Sequence, residues 1–198
     1  MTSSPVVNGV STASVGDLRT GVYSIDAVVV GGTQAIGFFT SALNIFVAVF
    51  DPNGGFVTGG GWINSPAGAY RTDPTMVGRA TFAFVSKYSP GSKIPTGQTD
   101  FEFKVANFTF KSNVYEWLVV SGARAQYKGT GTINGAGNFG FLLTAIDGQV
   151  NGGGGVDKFR IKIWDVATGA VVYDNQPGAA DTADPTTTIA GGSIVIHK

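Results

Sequence analysis

The hard oxygen donors of this chain gather in DGQVNGGGGVDKFRI, where Asp147, Asn151 and Asp157 flank a run of four glycines at 152–155. Carboxylate and amide oxygens, with loop carbonyls to complete the set, are what calcium takes, roughly six to eight at a time. These three positions therefore form the candidate metal site, and calcium is the one cofactor in view. GGGGVDKFR also fits the nonapeptide G-G-x-G-x-D-x-U-x of calcium-binding β-rolls. That site needs calcium held between tandem turns, and a single copy has no neighbour to stack on. The competing and favoured reading is structural: a turn whose glycines take positive φ and whose aspartates cap it. A phosphate cradle fails on context, because neither GGGGVD nor GTGTINGAG leads into GK[ST] or into a helix N-terminus.

Catalytic sets are poorly supplied, and the chain does not read as an enzyme. The absence of cysteine removes thiolate catalysis, a disulfide framework and cysteine-ligated metals together. His197, the single histidine, reads as a strand-end residue rather than a general base. A glycosidase pair would have to come from Glu102, Glu116 and eleven aspartates, most of them at turns. Glu102 alternates with Phe101 and Phe103 and so faces solvent, and Glu116, in VYEWLVV, has no identifiable partner acid.

Flat, amphipathic rings are a better supply. Trp62, Tyr70, Tyr115 and Trp117 are the candidate ligand-binding residues, as platforms on which a sugar ring could stack. Trp62 follows the triple glycine of GGGW, which permits close approach to the backbone. Core packing is the competing reading for each of them. Asn107-Phe108-Thr109 is formally a glycosylation sequon, but its place within an aromatic strand argues against use.

The elements that must position these residues are strands. Thirty glycines, abundant β-branched and aromatic residues and turn signals about every ten residues indicate an antiparallel all-β fold, with no amphipathic helix. Strands are expected at Gly21–Val30, Ala42–Phe50, Gly55–Ile63, Gly78–Tyr88, Thr99–Phe110, Tyr115–Ser121, Ala123–Ile133, Asn138–Ile146, Lys158–Asp165, Ala170–Asp174 and Gly192–His197. Period two puts Phe159, Ile161 and Ile163 on one face and Lys158, Arg160 and Lys162 on the other, which predicts a wet face there. In TDFEFKVANFTFKS the aromatic parity slips near Ala106 and Asn107, and a β-bulge would return both sets to the core. DPNGG, NGAGN and DVATGA carry turn chemistry between neighbours, so hairpins packed as a β-sandwich, jelly-roll or immunoglobulin-like, satisfy the pattern. DPNGG also marks a boundary: residues 1–52 read as a partial β-fragment and 53–198 as the sandwich domain. The fragment cannot bury its faces alone, so it packs on the domain or is exchanged with a neighbouring copy.

Composition sets the outer limits. With 43% hydrophobic and only 13% charged residues the chain is a folder with little surface charge. Its 13 basic and 13 acidic residues are scattered and cancel, so the basic footprint needed for nucleic acid or anionic lipid is missing, and self-association meets little repulsion. The longest apolar run, Ile36–Phe50, is too short to span a bilayer, and MTSSPVVNGVST lacks the basic and apolar regions of a signal peptide.

FVTGGGWINSPAGAY, PTGQTDFEFKVANFTFKS, EWLVVSGARAQYKGTGTING, FLLTAIDGQVNGGGGVDKFRIKIWD and AVVYDNQ, in this order, resemble the post-COAP-1-type extracellular β-domain of bacterial and archaeal surface proteins. The resemblance covers about Phe56–Lys198. GVYSIDAVVVGG is similar to the closing strands of an immunoglobulin-like repeat, although IGFFTSALNIFVAVFDP is more apolar than such a linking strand. The resemblance implies a noncatalytic structural or adhesion module of a secreted or cell-surface protein, whose partners are other surface domains or copies of itself. A carbohydrate-binding module using exposed Trp or Tyr is the alternative.

Overall fold

The computed structural model of the chain describes residues 14–25 and 45–198, with positions 5, 7 and 12. The apolar stretch IGFFTSALN, and the expected strand residues 26–30 and 42–44, lie outside the described residues. What is described is all-β and antiparallel. β1 (Gly21–Ile25) pairs with β2 (Ile45–Val49) as a two-stranded sheet. The other strands are β3 (Phe56–Ser65), β4 (Gly78–Tyr88), β5 (Pro95–Phe103), β6 (Phe108–Ser121), β7 (Arg124–Ile133), β8 (Ala136–Ile146), β9 (Lys158–Asp165), β10 (Val171–Asp174) and β11 (Gly191–His197). They form one nine-stranded sheet in the order β10-β9-β8-β7-β6-β5-β4-β3-β11, a meander to which the last strand adds beside the first.

Alternation supplies that sheet with one aromatic face, and an aromatic face of nine strands cannot stay in water. It folds over on itself, sandwich-like, so that β3–β5 look across at β9 and β10. Phe82 of β4 stacks on Phe159 of β9 with ring centroids 4.2 Å apart, and Phe101 of β5 meets Tyr173 of β10 at 4.7 Å. The tyrosine hydroxyls that enter this interior all find partners, as buried polar groups must. Tyr173 donates to Ser65 at 2.9 Å, and Thr99 Oγ1 lies 2.7 Å from the Tyr115 hydroxyl and 2.9 Å from that of Tyr127.

The parity slip at Ala106 and Asn107 has a different cause from the expected bulge. A 3-10 turn at Lys104–Ala106 ends on Asn107, whose φ of 48° is left-handed and whose N–H donates to Lys104 O at 2.9 Å. Asparagine is among the few residues that tolerate this region. The chain reverses there, so Phe103 pairs with Phe108 and Phe101 with Phe110, and two odd-numbered rings meet two even-numbered ones across a hairpin. Register shifts do occur farther along, between Ser112 and Val114 and between Tyr115 and Trp117, which merges the expected Tyr115–Ser121 strand into a long β6.

The expected wet face of β9 is also corrected. Arg160 is 2% exposed, because residues 175–187 strap across that face. Its guanidinium donates to both Asp174 carboxylate oxygens, at 3.1 and 2.9 Å, and to the carbonyls of Ala179 and Ala180, at 3.0 and 2.7 Å. Lys162 with Asp181 at 2.7 Å and Arg124 with Asp184 at 3.0 Å tie down the same strap. Burial lowers the Arg124 pKa, opposed by Asp184.

Both edges of the long sheet are closed within the chain. Beyond β10, Asp174 N–H donates to Ala69 O and Arg71 N–H to Val172 O, each at 2.9 Å. Segment 187–189 pairs with the start of β9 through Phe159 N–H to Thr187 O at 2.9 Å and Ile189 N–H to Asp157 O at 3.1 Å. Two outward amides of β11, those of Ile194 and Ile196, are taken by side chains, as described next. Unpaired edges invite another chain, and these are covered.

Candidate functional site

The glycine loop acts as a clasp on β11. Asp147 is 3% exposed; its Oδ1 accepts from Gln149 N–H at 2.9 Å and its Oδ2 from Ile196 N–H at 2.9 Å. Asp157 mirrors it, with Oδ1 on Gly148 N–H at 2.8 Å and Oδ2 on Ile194 N–H at 2.7 Å. Each carboxylate thus holds one amide of the loop and one of the edge strand. The glycines make the return path possible. Gly152, Gly154 and Gly155 have φ of +90°, +80° and +80°, and a Cβ on Gly153 would sit 2.0 Å from the carbonyl oxygen of Asp147. Asn151 is exposed and joins neither carboxylate by a hydrogen bond among the described residues. No cluster of three or more His, Cys, Asp or Glu placed to hold a metal occurs among the described residues. As it stands the arrangement pins a strand through charge-assisted hydrogen bonds.

The four candidate platforms separate. Tyr115 lies in the core at 5% exposure, and desolvation raises its pKa, so it offers no face to a ligand. Tyr70 is half-buried and packs edge-on against Phe103 and Phe108 while bridging to Tyr173, where it helps to close the sheet. Trp62 is half-buried on β3, with the Arg79 guanidinium 4.5 Å above its ring. Trp117 alone lines a depression, of about 330 Å³, on the outer face of β6–β9. Trp164, Lys128, Leu142, Gln126 and Asp181 share that lining, and Val22 of β1 forms part of the wall.

Trp164 is the functional candidate that sequence reasoning missed. In KFRIKIWD it breaks the apolar alternation of β9, since Ile161 and Ile163 point inward and Trp164 outward. It pairs with Gly140, where a Cβ would lie 2.3 Å from the indole, so glycine makes room for the ring to lie against the sheet. An outward tryptophan opposite a glycine is the signal that could have found it.

The acids weighed for catalysis are paired with lysines: Glu116 with Lys128 at 2.7 Å and Glu102 with Lys104 at 3.8 Å. His197 stacks on Phe56 at 4.1 Å. The sequon residue Asn107 sits not within a strand but on the exposed hairpin turn before Phe108.

No family model matches the chain, and no curated protein or solved structure matches it. Fold and site define a class, an antiparallel all-β module with closed sheet edges and an outer-face aromatic depression.

Proposed function

We propose that the chain is a noncatalytic structural or attachment module of a secreted or cell-surface protein, of the post-COAP-1 type, and that it joins other surface domains or copies of itself. The observation that carries this reading is the use made of its buried and half-buried charge. Asp147, Asp157, Arg160 and Asp174 are spent on holding edges and strap in place. A module stabilised in this way presents a rigid, closed body to its neighbours. Surface labelling and fractionation of the native protein test the location: labelling of intact cells, or recovery from the medium, is the expected result. Recovery from the cytosol alone overturns it.

Self-association has a restricted route. Among the described residues the β1–β2 pair stands apart from the long sheet, and strand addition is proposed to run through it. Sedimentation velocity over a hundredfold range of concentration should show a species larger than the monomer, and deleting residues 1–50 should abolish it. A monomer throughout removes self-association and leaves attachment to other domains.

A further inference from the structure

We infer that the depression between Trp117 and Trp164 is a binding site for one pyranose unit of an uncharged glycan. The inference goes beyond the structural-module reading and stands independently of it. Four observations converge on it. Both indoles are half-buried on the outer face, fixed on strands rather than loops, and Trp164 lies against Gly140. Ring faces so held stack on the C–H face of a sugar at little entropic cost.

The charges around the depression cancel. Lys128 and Lys162 each place Nζ 6.0 Å from the Trp164 ring centroid, but Lys128 is paired with Glu116 and Lys162 with Asp181, both at 2.7 Å. An anionic ligand would have to break one of these pairs, whereas a neutral one leaves both intact.

Gln126, fully buried at 0% exposure, is the fixed polar group in the wall of the depression. Its Nε2 donates to Thr144 Oγ1 at 2.8 Å and to Asp181 O at 2.7 Å, which uses both amide hydrogens. Its Oε1 has no donor. That oxygen has no accessible surface, so Gln126 shapes and reports on the wall rather than bonding a ligand. The volume of about 330 Å³ lies at the small end of ligand pockets and suits a single ring rather than a long chain segment.

The test is a titration of the isotopically labelled full chain, followed by NMR, with glucose, galactose, mannose and N-acetylglucosamine and with glucuronic acid as the charged comparison. Expected are saturable shifts of the Trp117 and Trp164 indole N–H and the Gln126 side-chain amide with at least one neutral sugar. Trp164→Ala should weaken that sugar at least about tenfold, while Trp62→Ala, which removes a remote indole, leaves it unchanged. Absence of saturable shifts with every neutral sugar, preference for glucuronic acid, or undiminished binding by Trp164→Ala overturns the inference. If Trp164→Ala does not fold, the wild-type map decides alone: shifts confined to residues away from Trp117, Gln126 and Trp164 reject the site. Failure here leaves the surface-module reading standing, and a cytosolic location leaves this site standing.

Discussion

β5 and β9 alternate in the same way, Asp100-Phe101-Glu102-Phe103 against Arg160-Ile161-Lys162-Ile163, yet their outward faces have opposite fates. On β5 the Glu102 side chain is 41% exposed and, with Asp100 and Lys111, borders an open depression. On β9 the Arg160 side chain is 2% exposed beneath the strap of residues 175–187. Period two assigns residues to faces; what then covers a face is decided by a segment elsewhere in the chain. The strap can lie there because β9 offers donors that its carbonyls and carboxylates need, and β5 offers mostly acceptors.

The sharpest way to break the comparison is at Arg160. Arg160→Ala strands the Asp174 carboxylate and two strap carbonyls in a dry interface, and loss of one partner of a buried pair costs about 3–5 kcal/mol. Urea unfolding should show that loss in the midpoint with an unchanged slope. A change under 1 kcal/mol would mean that the strap is loose and that Arg160 is solvated.

The clasp comes next in size. Asp157→Ala leaves the amides of Gly148 and Ile194 without acceptors, and Asp147→Ala does the same to Gln149 and Ile196, each at about 1–3 kcal/mol. Hydrogen exchange should locate the damage at Ile194 and Ile196 rather than across the sheet. With both carboxylates engaged on backbone amides, a melting curve in chelator should overlay one in excess calcium. A rise in Tm with calcium would instead turn Asp147, Asn151 and Asp157 into a binding site by mass action.

The interior that both faces share has its own pH limit. Burial raises the hydroxyl pKa of Tyr115 and Tyr173 and puts that of Tyr127 well above the ordinary value of 10.0. The folded state therefore keeps protons that the unfolded state releases. Stability is fully present below the unfolded pKa and falls as pH rises beyond it toward the folded value, by about 1.4 kcal/mol per pH unit for each such group. Ultraviolet titration should show tyrosinate from these residues appearing only with loss of native circular dichroism. Ionisation of all six tyrosines near pH 10 in a still-folded protein would contradict the packing.

Much of this architecture was legible in the sequence, and the exceptions have a common origin. Gly78–Tyr88 and Lys158–Asp165 were readable to the residue because each is bounded by turn chemistry at both ends. The hairpin at Asn107 was hidden because its turn residues, Lys104, Val105 and Ala106, carry no glycine or proline, and the left-handed residue is an asparagine. Trp117 was singled out as a large flat ring; Trp164 is as large and also lies beside an acid, Asp165, but the partner that marks it, Gly140, is distant in sequence. The clasp was half-visible: Asp147 and Asp157 stood out as oxygen donors, but their recipients, the amides of β11, have no side-chain signature at all.

The smallest effect is expected on the open face, and it gives the comparison its baseline. Glu102 and Lys104 approach to 3.8 Å with side chains 41% and 76% exposed. Solvated pairs of this kind contribute about 0–1 kcal/mol and weaken with salt. Lys104→Ala should therefore change the unfolding free energy by less than about 0.5 kcal/mol. The same truncation at Lys162, whose ammonium meets Asp181 with both side chains 23% exposed under the strap, should cost more and respond less to salt. Equal, salt-sensitive effects at Lys104 and Lys162 would show that the strap does not exclude water, and the distinction between the two faces would then rest on Arg160 alone.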